Sequence, residues 1–304
     1  MTALTFRPGV MFFPVTAFDA SGAVDAAVTA RHIRAGIDAG AAAVFAACGT
    51  GEFHALGTDE YATVLTAASA AVAGEVPLIG GAGGPLGHAI TVGRSAREAG
   101  ADALLVLPPY LVGGTQAGLI AYVEQIAEAS GLPVVIYHRG AAQFTVDSIR
   151  HLVRDPRVIG IKDGVGDVAL MQQFVLTAAE EGRGEPLFFN GLLTAEASQA
   201  AYTAIGVPRY SSAVFAMAPA ISAAFLRAHE AHDTATQERL LTEFFFPLVK
   251  LRDTTPGYAV SLIKAGLRIA GEPVGSVRAP LVDPSPEHLD RLTALLAHGD
   301  RLVS

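Results

Sequence analysis

Short apolar runs of four to six residues alternate along this chain with longer stretches whose apolar positions recur three and four apart. The first pattern predicts buried strands and the second amphipathic helices. Residues 10–15, 43–47, 77–79, 102–107, 133–137, 158–162, 187–189 and 210–212 read as strands. Residues 24–39, 59–72, 85–99, 115–130, 146–153, 167–180, 194–202 and 219–229 read as the helices between and after them. Eight strand–helix units at a spacing of ~25–30 residues are the period of a (β/α)8 barrel rather than a doubly wound sheet. Residues 1–230 are therefore predicted to form an α/β TIM barrel, and residues 231–304, which lack a strand pattern, a C-terminal helical region. Three helices are expected there. One covers 236–250 with a bend at Pro247. A second is capped by Thr255, with Pro256 at its first position, and the third follows Ser285-Pro286.

Composition narrows the partners. Hydrophobic residues make up 51% of the 304 positions and charged residues only 16%. That is ample for a large core, and so little surface charge predicts that part of the exterior is covered in a homo-oligomer. The net charge of -8 and the lack of a basic cluster argue against nucleic acid and against an anionic membrane surface. The apolar run of residues 1–18 is short and interrupted by Pro8 and Pro14, so neither a membrane span nor a standard signal peptide is expected there. The single cysteine, Cys48, leaves no internal disulfide and suits a reducing, cytoplasmic compartment.

Active sites of such barrels lie at the C-terminal ends of the strands, so the strand ends are where chemistry is sought. Strand six ends in Lys162. Of the 21 basic residues only three are lysines, Lys162, Lys250 and Lys264, so this chain uses arginine wherever a surface cation suffices. A lysine at a buried strand end is either snorkelling to solvent or is there because, unlike arginine, it can lose its proton and attack a carbonyl. Gly49-Thr50-Gly51 after strand two is either an ordinary tight turn or an anion nest of backbone amides with a hydroxyl added. Tyr137, ending strand five beside strand six, is either structural or a proton relay to Lys162. Gly81-Ala82-Gly83-Gly84 does not match the dinucleotide fingerprint, no histidine pair has metal-ligand spacing, and no G-x-S-x-G is present.

Gly49-Thr50-Gly51-Glu52-Phe53, Tyr137 and Gly160-Ile161-Lys162-Asp163 together resemble the dihydrodipicolinate synthase/N-acetylneuraminate lyase family of Schiff-base barrels. The resemblance extends from about Pro8 to Arg278-Ala279-Pro280-Leu281. It implies a barrel with a C-terminal helical region, no cofactor beyond the covalent imine to Lys162, no metal, and a homotetramer or dimer. Phe12-Phe13-Pro14, Tyr137-His138-Arg139, Asn190-Gly191, Thr194-Ala195-Glu196 and Tyr210-Ser211-Ser212 resemble the branch that dehydrates and decarboxylates a six-carbon keto sugar diacid. The resemblance makes Lys162 the imine former and Tyr137 the relay. The Gly49, Thr50 and Gly51 amides would then hold the carboxylate beside the ketone. Arg139 is expected at the far carboxylate, and Asn190, Thr194, Ser211 and Ser212 at substrate hydroxyls. The synthase pattern is broken at Gly49, Leu111 and Ala142, where a hydroxyl residue, a second tyrosine and an arginine are missing. A pyruvate-releasing aldolase and a non-catalytic sugar-acid-binding barrel are the other readings of the same residues.

Overall fold

A computed structural model describes residues 4–183 and 186–304; Met1, Thr2 and Ala3, at the head of the N-terminal run, lie outside the described residues. Eight parallel strands form one sheet in the order β1 to β8. They are β1 Met11–Phe12, β2 Ala43–Ala46, β3 Leu78–Ala82, β4 Ala103–Val106, β5 Val134–His138, β6 Val158–Asp163, β7 Leu187–Asn190 and β8 Arg209–Tyr210. A parallel bridge between Met11 and Ser211 brings β8 back to β1 and closes the circle. The predicted TIM barrel is therefore the observed fold.

Period-two alternation sorts the side chains. Met11, Phe13, Phe45, Ile79, Leu105, Val135, Tyr137 and Phe189 point inward and fill the barrel. Phe12, Val44, Leu104, Ile136, Ile161 and Tyr210 point outward against the helices. Those helices are α1 Ala26–Asp38, α2 Thr58–Val72, α3 Leu86–Glu98, α4 Gln116–Ser130, α5 Val146–Val153, α6 Val168–Glu180 and α7 Gln199–Ala204, then α8 Ala213–Met217 and α9 Pro219–Glu230. Asp25, Thr115, Thr145 and Asp167 cap α1, α4, α5 and α6 through side-chain oxygens. Where a helix was expected over 194–202, a 3₁₀ turn at Ala195–Ala197 precedes the short α7.

The C-terminal region holds α10 Thr234–Leu240, α11 Phe246–Arg252, α12 Tyr258–Ile269 and α13 Pro286–Val303. Two expectations are corrected. The long helix is interrupted by a π turn at Leu241–Phe245, and Pro247 falls in the first turn of α11, where its missing N–H is harmless. The next helix does not begin at Thr255-Pro256. Gly257 at φ 90° breaks the chain direction, and α12 starts at Tyr258. Ser285 caps α13 as expected. Among the described residues no helix is long and apolar enough to cross a membrane.

Candidate active site

Strand β6 turns Ile161 outward and Lys162 inward, at the end of the barrel where the βα loops gather. Lys162 is 6% exposed. Its Nζ lies 3.7 Å from the Phe13 ring centroid, 4.4 Å from that of Tyr137 and 5.8 Å from that of Phe189. An ammonium among aromatic rings loses most of its hydration, and burial accordingly lowers the Lys162 pKa. The electrostatic influence of Tyr137 and of Cys48 opposes that shift, while the charge of Arg139 adds to it. Cys48, also buried in the barrel interior, has its thiol pushed up to about 12 by the same desolvation, which keeps it protonated. The phenylalanines drying the amine, Phe13 and Phe189, were not singled out as site residues. Their only sequence signal is an inward position at a strand end.

Tyr137 pairs with Lys162 in the β5–β6 register. Its phenol accepts a hydrogen bond from Arg139 Nη1 at 2.7 Å and donates a long one to the Gly191 carbonyl at 3.4 Å. Arg139 thus stands against Tyr137, with its guanidinium carbon 5.7 Å from the ring centroid. His138, between them in sequence, faces outward: Nδ1 accepts from the Phe144 amide, and burial lowers its pKa.

The turn after β2 is held from outside. The Thr16 hydroxyl donates to the Gly51 carbonyl at 2.7 Å, and Glu52, in the left-handed region at φ 56°, is fully buried. Its Oε1 accepts from Lys264 Nζ and its Oε2 from the Arg278 amide, both at 2.8 Å. Lys264 also donates to the Ser276 carbonyl at 2.8 Å. A Cβ at Gly51 would lie 3.1 Å from the Ala47 Cα, whereas Gly49 faces open space. The Thr50 and Gly51 amides and the Thr50 hydroxyl make no hydrogen bond among the described residues, which leaves them free for an anion. The buried Glu52–Lys264 pair was not anticipated, although the scarcity of lysine that flags Lys162 flags Lys264 equally.

The remaining candidates divide. Ser211, with its hydroxyl 3.5 Å from the Asn190 carbonyl, sits where β8 rejoins β1. Asn190 faces away from the barrel interior, a correction to its expected substrate contact. Its amide nitrogen reaches the Ala195 carbonyl, Ser198 and Gln199, and its oxygen takes the Leu192 amide, so it organises the loop after β7. Ser212 is likewise engaged elsewhere: it caps α8 through the Phe215 amide and lies near buried Glu196, whose pKa burial raises to about 7. Thr194 accepts a hydrogen bond from Arg252 of α11 at 2.6 Å. Period-two alternation around Phe189 and Tyr210 foretells the outward side of Asn190 and Ser212; the contact with Arg252 has no local signal.

Two glycines pack on Lys162 and Tyr137. A Cβ at Gly191 would fall 2.3 Å from Lys162 Cε, and one at Gly164 would fall 2.7 Å from Tyr137 Cε2. Gly191→Ala is therefore expected to push the Lys162 stem aside and cut kcat by ~10²-fold, as misplacement of a reacting group by about 1 Å does. Steady-state kinetics beside an unchanged circular dichroism spectrum check this; a wild-type kcat would mean the lysine has room to spare. Among the described residues no group of three or more His, Cys, Asp or Glu side chains is arranged to hold a metal ion. A cavity of about 680 Å³ opens at the opposite end of the strands, beside Leu4, Phe6, Ile159 and Leu187, away from the lysine.

Residues 7–299 match the dihydrodipicolinate synthetase family. The chain is 49% identical over 99% of its length to a probable 5-dehydro-4-deoxyglucarate dehydratase 1 of Streptomyces coelicolor, covering 95% of that protein. It is 51% identical over 97% of its length to the protein named probable 5-dehydro-4-deoxyglucarate dehydratase of Streptomyces griseus, covering 93% of it. Among solved structures, dihydrodipicolinate synthase from Bacillus anthracis superposes with a TM-score of 0.85 at 25% identity, over 96% of this chain and 99% of that one. A prophage protein of the dihydrodipicolinic acid synthase family from E. coli K12, in complex with pyruvate, superposes with a TM-score of 0.84 at 26% identity, over 96% and 98% of the two chains. With its barrel, its strand-end lysine and a family match spanning nearly every residue, this chain belongs to the dihydrodipicolinate synthetase family.

Proposed function

We propose that this chain is a decarboxylating dehydratase that converts 5-dehydro-4-deoxy-D-glucarate to 2,5-dioxopentanoate, CO2 and water through an imine on Lys162, with no cofactor. The observation that carries the chemistry is the desolvated Lys162 amine lying against the Phe13 and Tyr137 rings. The substrate is supported by relatives of that name at 49% and 51% identity along almost the whole chain.

An unperturbed lysine is neutral in roughly one molecule in a few thousand at pH 7, so a lowered pKa enlarges the reactive fraction. Neutral Lys162 attacks the C5 ketone, and the oxygen leaves as water. The protonated imine then draws electrons from C4, whose proton is lost to give an enamine. The enamine expels the C3 hydroxyl and becomes an imine conjugated to a C3–C4 double bond. That conjugation accepts the electron pair of the C1–C2 bond, so CO2 leaves from the end far from the imine. Protonation and hydrolysis free the product. One proton is consumed overall.

In this reading the Gly49, Thr50 and Gly51 turn holds the carboxylate beside the imine. The same reading assigns the Ser211 hydroxyl, at the closure of β8 on β1, to a substrate hydroxyl. Nε and Nη2 of Arg139 make no hydrogen bond among the described residues and offer donors to the far carboxylate. The same reading places the enzyme in the cytoplasm as a homo-oligomer. The test is incubation with 5-dehydro-4-deoxy-D-glucarate under borohydride, with CO2 measured and the protein weighed. CO2 release and a covalent adduct at Lys162 are expected. Pyruvate in place of CO2 would make the protein an aldolase, and neither product nor adduct would end the proposal.

A further inference from the structure

The phenol of Tyr137 has one proton to give and two lone pairs to offer. Arg139 Nη1 occupies one lone pair at 2.7 Å, and the Gly191 carbonyl is the acceptor at 3.4 Å. No serine, threonine or second tyrosine hydroxyl hydrogen-bonds to this phenol among the described residues. The Thr16 hydroxyl is turned to the Gly51 carbonyl, and the Thr194 hydroxyl accepts from Arg252. A guanidinium only donates, so Arg139 fixes the phenol oxygen as an acceptor and leaves the phenol proton to the long bond with the Gly191 carbonyl, from which it is easily withdrawn.

From this geometry we infer that Arg139 is a positioning residue for proton transfer: it holds Tyr137 and stabilises the phenolate formed when Tyr137 protonates the departing oxygen. The step balances as follows. The adduct of Lys162 and the ketone carries a hydroxyl on C5. Tyr137 gives its proton to that hydroxyl, the C5–O bond breaks, and water departs. The nitrogen lone pair forms the C=N bond, leaving a protonated imine and a Tyr137 phenolate. The phenolate sits in a charge-assisted hydrogen bond to Arg139, a bond roughly twice as strong as its neutral counterpart. It is then the base within reach of the C4 proton, whose uptake restores the phenol. Arg139 thereby acts on the reaction whether or not it also touches the far carboxylate.

The inference rests on the imine chemistry proposed above, and its test keeps the two apart. Borohydride trapping under single-turnover conditions at saturating 5-dehydro-4-deoxy-D-glucarate is run on wild type, Arg139→Gln, Tyr137→Phe and the double variant. Saturation removes any contribution from carboxylate binding. Arg139→Gln is expected to slow trapping by about 10²-fold, in the range of one lost acid–base contribution, and to add less than about 2-fold in the Tyr137→Phe background. The side chain is half-buried, and the backbone bonds of Arg139 to Ala142 do not depend on it, so the fold should persist. A wild-type trapping rate in Arg139→Gln with only KM raised, or equal losses in both backgrounds, overturns the inference. A wild-type chain that yields no adduct overturns the imine chemistry instead.

Discussion

Lys162→Met is expected to abolish turnover and to raise the melting temperature at the same time. In the proposed imine chemistry the loss of activity follows from removing the atom that bonds to substrate, and should reach at least ~10⁴-fold, with no borohydride adduct left. The gain in stability follows from what surrounds the amine. Phe13, Tyr137 and Phe189 offer rings where an ammonium would need water. Burial lowers the Lys162 pKa in the folded chain below its ordinary 10.5. Between the folded value and 10.5 the unfolded chain binds more protons, so wild-type stability climbs with pH across that window and the full penalty persists below it. Methionine has a similar shape and no proton to lose. Its advantage in melting temperature should be largest at neutral and acid pH and should shrink as pH approaches 10.5. Thermal melts at pH 7 and pH 10 measure the difference. An equal or lower melting temperature at pH 7 would mean that the amine is well solvated, and the nucleophile would have to be sought elsewhere.

Lys264→Met should do the reverse to stability. Lys264 and Glu52 are both fully buried, and the carboxylate has two partners, the ammonium and the Arg278 amide. Removing the ammonium leaves a buried carboxylate with one hydrogen bond and without its ion-pair partner, a change that destabilises by about 3–5 kcal/mol. In a chain of this size the melting temperature should fall by on the order of 10 °C. Glu52→Gln combined with Lys264→Met removes both charges and should recover most of the loss, because the uncompensated charge is what destabilises. The same pair anchors the Gly49–Gly51 turn, so the single variant should also raise KM at temperatures where it stays folded. A melting temperature within a degree of wild type would show that water reaches the pair. An unchanged KM would detach the C-terminal helices from substrate binding.

Two of the three lysines in the chain, Lys162 and Lys264, carry this contrast. Their rarity pointed to Lys162 because a strand end and a barrel period supplied the context. Lys264 had the same rarity but no such context, since its partner lies 212 positions away. Nothing in the residues around 264 announces Glu52, and nothing around 52 announces a buried cation. The outward turn of Asn190 and Ser212 was open to the period-two rule, applied strand by strand.

The order of eight strand–helix units, the inward face of β6 and the identity of the strand-end residues follow from the sequence by itself. They depend on local periodicity, which a linear string records. The drying of Lys162 by Phe13 and Phe189, the Arg139–Tyr137 bond, the Thr194–Arg252 contact and the Glu52–Lys264 latch were decided only by the tertiary structure. Each needs two distant segments, or two side-chain rotamers, at a particular separation in space. Closure of the barrel sets those separations, and the spacing of residues along the chain does not encode them.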